Sequence, residues 1–345
     1  MKLVTFVTNN NQERLGIVVN DQVFDLERAG AAVSTALPST MNEFLHGGGR
    51  TMDMAHEIEL AISEGNAPQP EPKNTVLHAP VPHPPSCRDA YAFRQHVASA
   101  RRNRGVDMLP EFDQYPVFYF TNHNAIVGPG DIVVESDHLL KLDFELEAAI
   151  VIGRAGRNIS ATDADKYIAG FTIMNDLSAR VLQMEEMKLN LGPAKGKDFA
   201  TAIGPWLVTP DELSEMCSRT EYGNQHDLKM TARHNGKQIS AGNLNQMTWT
   251  FAEIIERVSY GVDLCPGDVI GSGTVGTGCY LELNGTWRRE AKERGEEFEP
   301  IWLADGDTIE LEIEQLGVLT NRIVKVDEDR SIRAGYKNVP AVTSA

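Results

Sequence analysis

The sequence of 345 residues predicts a β-rich α+β protein, not a doubly wound α/β sheet. The first observation behind this prediction is that segments with strand signals outnumber segments with helical periodicity. The second is a proline-dense stretch that separates a short N-terminal part from the rest. We therefore predict a small N-terminal β-rich domain with a proline-rich linker over residues 1–78. A larger domain that carries the chemistry is predicted over residues 79–345.

The N-terminal part begins with two predicted strands, at 2–8 and 16–26, next to polar turns. Helical patterns follow near 41–46 and 51–63. The next segment is expected to be stiff, extended and poor at joining sheets, because proline fixes the backbone and donates no hydrogen bond. Its prolines are Pro68, Pro70, Pro72, Pro80, Pro82, Pro84 and Pro85.

The larger part begins with a helical pattern from Tyr91 to Arg104 that ends at Gly105, a residue suited to a helix C-terminus. Two more helices are predicted at 177–189 and 250–259. The charged stretch from Trp287 to Glu299 is interpreted as a surface excursion between two strands. The predicted strands lie near 116–120, 131–135, 141–153, 168–174, 201–208, 227–234, 268–271, 279–284, 308–315 and 320–327.

The overall charge excludes two classes of partner. A formal net charge of −17 argues against binding to nucleic acid or to anionic membrane surfaces. A pocket for an acidic substrate would therefore need its own arginine and lysine side chains.

The N-terminus lacks the apolar core of a signal peptide, and no apolar run approaches about 18 residues. We expect a cytoplasmic protein whose four cysteines are reduced.

The run from Lys141 to Gly153 contains the most informative pattern in the chain. Its apolar residues alternate with the others as in a half-buried strand, so Asp143, Glu145 and Glu147 share one face. Carboxylates so close together repel one another, and a hard divalent cation would turn that repulsion into attraction. The alternative is an amphipathic strand whose acidic face is solvated.

Two further groups of residues add candidates. Asp176 ends a predicted strand, and its spacing to Arg180 and Gln183 places the three on one helical face. They suit a metal or anion site, or a plain salt bridge between Asp176 and Arg180. Asp89 and His96 are seven residues apart, again on one helical face. Histidine is a natural general base, although a single histidine is more often structural or merely exposed.

A glycine-rich segment from Gly271 to Gly278 is not interpreted as a phosphate loop. It lacks the Gly-Lys-Ser/Thr ending, and a predicted strand that contains Glu282 follows it in place of a helix. We expect this segment to allow a close backbone approach to a small ligand.

In this order the segments resemble the fumarylacetoacetate hydrolase family, from about Arg88 to Val326. The resemblance implies the mixed β-sandwich or roll of that family for the larger domain. Acid and histidine match at Asp89 and His96, and the Gly-Thr followed by a glutamate matches Thr274 and Glu282. The most specific parts are the Glu-x-Glu pair Glu145–Glu147, the turn Met174-Asn-Asp176 with Arg180, and the segment from Gly196 to Trp206.

The resemblance also implies roles for single residues. It places His96 as the general base, oriented by Glu282, with Lys197, Arg180 and Gln183 stabilising negative charge on the substrate. The implied cation is Mg²⁺ or Mn²⁺, with Ca²⁺ as a further candidate. Residues at the metal would be Asp89, Glu145, Glu147, Asp176, Lys197 and Thr201. Residues at the substrate would be Tyr91, Tyr119, Arg180, Gln183 and Thr274.

The activity implied by the resemblance is metal-dependent hydrolysis of a carbon–carbon bond in a 1,3-dicarbonyl acid, in aromatic or amino-acid catabolism. Decarboxylation, hydration or isomerisation of a related 2-oxo acid is the alternative on the same metal site, and a non-catalytic cation-binding protein is another. A small dicarboxylate or 2-oxo acid is the expected partner, and a homodimer the expected assembly.

One departure from the family pattern concerns the residues that would bind the substrate. Where animal fumarylacetoacetases have an arginine shortly after the histidine, this chain has Gly105, so Arg101, Arg102 or Arg104 would have to replace it.

Overall fold

A computed structural model describes residues 1–66 and 68–337. The strands in these residues are β1 (Lys2–Val7), β2 (Glu13–Val19), β3 (Gln22–Asp25), β4 (Val76–Leu77), β5 (Cys87–Ala90), β6 (Phe118–Thr121), β7 (Ile126–Val127), β8 (Gly130–Val134), β9 (Leu142–Asp143), β10 (Leu146–Ile152), β11 (Gly156–Arg157), β12 (Ile168–Asp176), β13 (Ser178–Ala179), β14 (Thr201–Val208), β15 (Cys217–Thr220), β16 (Gly223–His226), β17 (Lys229–His234), β18 (Lys237–Asn243), β19 (Asp263–Leu264), β20 (Val269–Gly271), β21 (Thr308–Ile313) and β22 (Gly317–Lys325).

The helices are shorter in total than the strands. They are α1 (Leu26–Ala32), α2 (Met41–His46), α3 (Gly49–Ser63), α4 (Arg94–Asn103), α5 (Ser136–Leu139), α6 (Ala161–Ala164), α7 (Arg180–Met187), α8 (Phe251–Ser259) and α9 (Tyr280–Arg294). The predicted α+β class with a predominance of strands is confirmed. No helix within the described ranges is both long and apolar enough to cross a membrane.

Two large sheets contain most of the strands in the described residues, and the remaining strands form three two-stranded sheets. The larger has eleven strands, nine of them in the order β3-β2-β1-β14-β12-β10-β20-β5-β6, while β4 pairs with β1 and β7 with β14. The smaller has the order β18-β17-β21-β22-β8. One core cluster joins them, since Ile150 and Phe171 of the larger sheet belong to the same cluster as Ile309 and Ile323 of the smaller. Burial of this apolar surface is the main favourable term that holds the sheets together.

Strand β10 is buried on both faces. Ala148 and Ile150 belong to the core between the two sheets, whereas Ala149 and Val151 belong to a second cluster built with the N-terminal residues. The expectation of a half-buried strand is therefore wrong for this segment, and so is the alternative of a solvated acidic face, because Glu147 is 0% exposed. Alternation in the sequence cannot reveal that other elements cover both sides of a strand.

The N-terminal residues join the same large sheet as the rest of the chain. Strand β1 pairs antiparallel with β14, with Lys2 opposite Val208 and Leu3 opposite Leu207. Val81 and Cys87, on either side of the last prolines, lie in the N-terminal core cluster. The division of the chain near residue 78 stays a prediction.

Two predicted elements are wrong in detail. Residues 279–284 are not a strand but the start of α9, which continues to Arg294 and so occupies much of the predicted excursion. Four alternating residues from Leu281 to Asn284 fit a strand as well as a helix, and periodicity alone cannot decide between them. Gly295, with φ of 69°, supplies the left-handed residue that ends the helix.

The second difference concerns the acidic strand, which is interrupted. Strand β9 ends at Asp143 and β10 begins at Leu146. Between them the backbone N–H of Glu145 donates to Oδ1 of Asn175 at 3.0 Å. Asp143, Glu145 and Glu147 therefore do not share one regular strand face.

Candidate active site

Three buried carboxyl groups meet where β10, β20 and β5 lie side by side. Asp89 is on β5, Glu147 is on β10, and Glu145 lies just before β10. Their candidate ligand oxygens all lie within 4.8 Å of one another. Asp89 thus reaches the site from a strand and not from the helix of His96, so the prediction that they share one helical face is wrong.

The strand between them, β20, brings its backbone close to these carboxylates. A Cβ atom on Gly271 would lie 2.5 Å from Oδ1 of Asp89 and 2.9 Å from Oε2 of Glu147, so a larger residue would displace both groups. Gly273 has φ of 80°, and its N–H donates to the same two oxygens, at 3.1 Å each. The hydroxyl of Thr274 donates to Oε1 of Glu147 at 3.3 Å. The glycine-rich segment therefore holds the carboxylates through its backbone.

A second part of the site is organised by Lys197. Its ammonium group lies 2.5 Å from Oε2 of Glu145 and 2.7 Å from Oδ2 of Asp176, at the end of β12. The hydroxyl of Tyr119 also donates to Oδ2 of Asp176. The other oxygen, Oδ1 of Asp176, is buried and has no hydrogen-bond partner among the described residues. An unpaired buried carboxylate oxygen is costly, and a cation would satisfy it.

The electrostatics differ sharply between the carboxyl groups. Burial, together with repulsion from Asp176, raises the pKa of Asp89 to about 7. Burial and the neighbouring Asp89 raise the pKa of Glu147 well above its usual range, and the hydrogen bond between the two favours a proton on Glu147. Burial also raises the pKa of Asp176. In the absence of a cation, burial therefore favours the protonated forms of these three groups.

Glu145 behaves in the opposite way. Burial alone would raise its pKa, but the charges of Lys197 and Arg180 outweigh burial and lower the pKa to about 2. Burial acts to lower the pKa of Lys197, yet Asp176 and Glu145 raise it. Lys197 is therefore a protonated neighbour of the carboxylates, and a protonated amine has no lone pair with which to bind a metal.

These residues fit a hard divalent cation. Oxygen donors from β5, from β10 and from the residue just before β10 converge, and the backbone N–H of Gly273 holds two of them in place. The fourth carboxylate, Asp176, has a buried oxygen with no hydrogen-bond partner among the described residues. Carboxylate oxygens are the ligands that Mg²⁺, Mn²⁺ and Ca²⁺ accept. Thr201 is the strand partner of Asp176, and its hydroxyl lies 3.4 Å from that of Thr121, at the edge of this group.

His96 and Glu282 form a buried pair beside the carboxylates. Nδ1 of His96, on α4, lies 2.6 Å from Oε2 of Glu282, on α9. The two helices approach closely because Gly285 has no side chain, and the amide of Asn103 donates to the carbonyl of Glu282 at 3.0 Å. The ring of Tyr91 meets the His96 ring edge to face at 5.8 Å. The structure thus brings Glu282 to His96 from a helix, not from the predicted strand.

Arg180 begins α7 and is enclosed by other site residues. Its guanidinium donates to Asp143 at 2.8 Å, to Glu145 at 2.7 Å and to the side-chain oxygen of Gln183 at 2.9 Å. Asp176 ends β12, before the helix begins, and pairs with Lys197, so the predicted salt bridge between Asp176 and Arg180 one helical turn apart is wrong. Arg180 and Gln183 do lie together, as their spacing predicts.

Two recesses open beside these groups. One of about 350 Å³ is lined by Tyr91, Arg101, Arg104, Phe112 and Tyr115. The other, of about 310 Å³, is lined by Lys197 together with residues around Thr121 and Pro193. Each recess has one wall formed by a residue of the site, Tyr91 in the first and Lys197 in the second.

Sequence reasoning missed several contributors. Asn175 fixes the backbone of Glu145, and Gly271 and Gly273 shape the space around the carboxylates. The glycines were singled out, but as ligand contacts and not as partners of Asp89 and Glu147. Asp143 was recognised only as a neighbour on the same strand.

A family model described as fumarylacetoacetate (FAA) hydrolase C-terminal matches residues 86–324, more than half of the chain. The chain belongs to the fumarylacetoacetate hydrolase family. Human oxaloacetate tautomerase FAHD2A, named as mitochondrial, is 32% identical over 310 residues, which is 90% of this chain and 84% of the human protein.

Solved structures of the fumarylacetoacetate hydrolase family share the fold. The fumarylacetoacetate hydrolase from psychrophilic Exiguobacterium antarcticum matches with a TM-score of 0.69 at 25% identity, over 94% of this chain and 100% of that one. Maleylpyruvate hydrolase from Sphingobium sp. SYK-6, in complex with manganese(II) and pyruvate, matches with a TM-score of 0.64 at 21% identity, over 94% and 99%. At that identity the likeness speaks for the fold alone. The relatives and fold neighbours of this chain have names that include hydrolase, isomerase and tautomerase activities.

Proposed function

We propose that this protein is a divalent-metal-dependent enzyme that interconverts the keto and enol forms of a small 2-oxo dicarboxylic acid of the oxaloacetate type. The observation that carries the proposal is the buried His96–Glu282 pair beside the acidic group, because one well-placed proton carrier is what enolisation requires. The tautomerase name of the human relative supports the reaction class.

Asp89, Glu145, Glu147 and Asp176 would hold the cation. When bound, it supplies a Lewis acid for the oxygens of the 2-oxo acid. Mg²⁺ and Mn²⁺ are the first candidates, and Ca²⁺ is another, since all three take carboxylate oxygens. Lys197 keeps the surrounding charge from becoming strongly negative, as a desolvated site requires.

His96 would move the proton. Glu282 accepts the Nδ1–H of His96, which orients the ring and leaves Nε2 to take a proton from the carbon next to the carbonyl. The enolate oxygen then gains a proton from the imidazolium or from solvent, and the reverse sequence restores the keto form. Glu282 stabilises the imidazolium that exists between the two steps.

Each carboxylate of a dicarboxylic acid substrate needs positively charged or hydrogen-bonding side chains to bind it. Arg180 and Gln183 lie at one side of the site, although Asp143 and Glu145 already occupy most of the Arg180 donors. Arg101 and Arg104 line the recess next to Tyr91. They are our candidates for the distal carboxylate, in a protein whose net charge of −17 otherwise repels anions.

The hydrolysis predicted from the sequence is the second candidate, and the same pair favours it. With Nδ1 held by Glu282, His96 could equally take a proton from water, which would attack a carbonyl of a 1,3-dicarbonyl acid. Carbon–carbon cleavage would then release pyruvate from an acylpyruvate. Decarboxylation of oxaloacetate would release pyruvate and carbon dioxide.

One set of assays separates these reactions. Purified protein with Mg²⁺ or Mn²⁺ is mixed with oxaloacetate, and the enol absorbance is followed while pyruvate is measured enzymatically in parallel. Faster approach to the keto–enol equilibrium without pyruvate supports the proposal. Pyruvate from acylpyruvates would favour hydrolysis, and pyruvate from oxaloacetate would favour decarboxylation. No effect on any of these substrates with either metal would refute all three.

Assembly and location are also proposals. We propose a homodimer, for which light scattering at micromolar concentration should give about twice the chain mass of 38.0 kDa; a mass near 38.0 kDa would contradict it. A cytoplasmic location and a role in aromatic or amino-acid catabolism remain predictions from the sequence.

A further inference from the structure

Asp143 is the most enclosed carboxylate near the site that has no part in the proposed reaction. It is 0% exposed. Its two oxygens accept backbone N–H groups from Tyr280 at 2.7 Å and from Leu281 at 2.9 Å. They also accept the N–H of Phe144 at 2.9 Å and Nε of Arg180 at 2.8 Å. Four donors thus surround one buried carboxylate.

Its partners belong to two different parts of the site. Tyr280 and Leu281 open α9, and the next residue is Glu282, whose carboxylate lies 2.6 Å from Nδ1 of His96. Arg180 opens α7 and holds Glu145 at 2.7 Å. Asp143 therefore lies between the proton-carrying pair and the group of carboxylates.

In the described part of the chain, no other side chain accepts the N–H groups of Tyr280 and Leu281 at the start of α9. The N-cap residue Cys279 makes no side-chain hydrogen bond to the helix. The free N–H groups of a first turn need acceptors, and a carboxylate there is further stabilised by the helix dipole. Asp143 provides this from 137 residues away in the sequence. Its charge is balanced by Arg180, as a buried charge must be.

We propose that Asp143 is a positioning residue that fixes the start of α9, and with it Glu282 and His96, relative to Arg180 and Glu145. This inference rests on the proposed function, because it assigns Asp143 a role in the proton transfer through Glu282. A shift of α9 by a fraction of an ångström would lengthen the 2.6 Å contact between Glu282 and His96.

The test compares Asp143→Asn with a matched control, Asp25→Asn, in oxaloacetate tautomerisation with Mg²⁺. Asp25 is also buried, accepts a first-turn N–H from Arg28 at 3.0 Å and pairs with Arg14 at 2.9 Å, but it caps α1 in the N-terminal part. We expect Asp143→Asn to lower kcat by about 10²-fold, the scale of a small misplacement, with a smaller change in KM. Asp25→Asn should lower the melting temperature comparably and leave kcat within about twofold.

A double variant distinguishes positioning from a general loss of stability. In a Glu282→Ala background, Asp143→Asn should lower kcat much less than it does alone, because the contact to His96 that it maintains has been removed. Fully additive losses would overturn the proposal, as would an Asp143→Asn enzyme that keeps wild-type kcat. An inactive wild type would refute the proposed function instead.

If Asp143→Asn does not fold, the wild type still allows a test. Hydrogen exchange is measured with Mg²⁺ in the presence and absence of oxalate, a mimic of the 2-oxo acid enolate. We expect oxalate to increase protection of the amides of Tyr280 and Leu281, because Asp143 connects them to Arg180. Unchanged protection at these amides, with oxalate bound, would overturn the proposal.

Discussion

At the scale of single residues, the site combines two kinds of buried acid. Glu145 is ionised because Lys197 and Arg180 are next to it, whereas burial and mutual repulsion favour protons on Asp89 and Glu147. Such a mixture of ionised and protonated carboxyl groups is expected of metal ligands in the absence of their cation. Binding would release the protons, so affinity for Mg²⁺ should rise with pH.

His96→Ala tests the proton carrier directly. Removing the imidazole should lower kcat by about 10²–10⁴-fold, the usual loss for a general base. Mg²⁺ affinity, measured by calorimetry, should remain, because His96 is not among the cation donors. Glu282→Gln should lower kcat less, since the ring of His96 keeps one hydrogen-bond partner. His96→Ala with wild-type turnover would show that another group moves the proton.

Residue type and spacing alone single out Asp89, Glu145, Glu147, Asp176 and His96 as candidates, whereas their roles, and the inclusion of Lys197, depend on the family resemblance. Asp143 could not be assigned. Its main partners, Tyr280 and Leu281, lie 137 or more residues away, and no local pattern encodes so distant a contact. Likewise, the carboxylates of Asp89 and Glu147 meet only because β5 and β10 both pair with β20 in the sheet, and the sequence does not reveal this strand order.

At the scale of elements, β20 decides how closely the carboxylates approach. Gly271 occupies the place where a side chain would contact Asp89 and Glu147, which explains why this short strand ends in glycine. The sequence predicted the strand near 268–271 but not this use of its last residue. It predicted a strand at 279–284 where α9 begins, because four residues contain too little periodicity to identify a helix.

Gly271→Ala should therefore abolish cation binding or weaken it severely. The added Cβ would lie 2.5 Å from Oδ1 of Asp89, so at least one carboxylate must move. We expect at least about tenfold weaker Mg²⁺ binding by calorimetry, with activity falling in parallel. Gly49→Ala is the control, because a Cβ there meets nothing within 4 Å. Undiminished Mg²⁺ affinity in Gly271→Ala would exclude this group of carboxylates as the metal site.

At the scale of the whole molecule, the acidic group couples folding to pH. In the metal-free protein Asp89 holds a proton up to about pH 7, whereas its ordinary pKa is 3.8. The native state then binds more protons than the unfolded chain between these values. Its contribution to stability is present below about pH 4 and is lost as the pH rises through about 7.

We therefore expect the protein in EDTA to become less stable from pH 5 to pH 7.5, by up to about 1.4 kcal/mol per pH unit for this one group. Urea unfolding at a series of pH values measures the slope. The lowered pKa of Glu145, about 2, lies outside this window and does not offset it. Asp89→Asn should flatten the slope, and saturating Mg²⁺ at pH 7.5 should raise stability. A slope of opposite sign in EDTA would contradict this assignment.

The pairing of β1 with β14 has a practical consequence. β14 carries Thr201 beside Asp176, and it also pairs with β12 and β7. A fragment severed near residue 78 would lose the strand that covers Val208 and Leu207, and with it the apolar cluster that lies over Ala149 and Val151. An uncovered edge of this kind pairs with other chains. Such a truncated protein should aggregate even though it retains every residue of the active site.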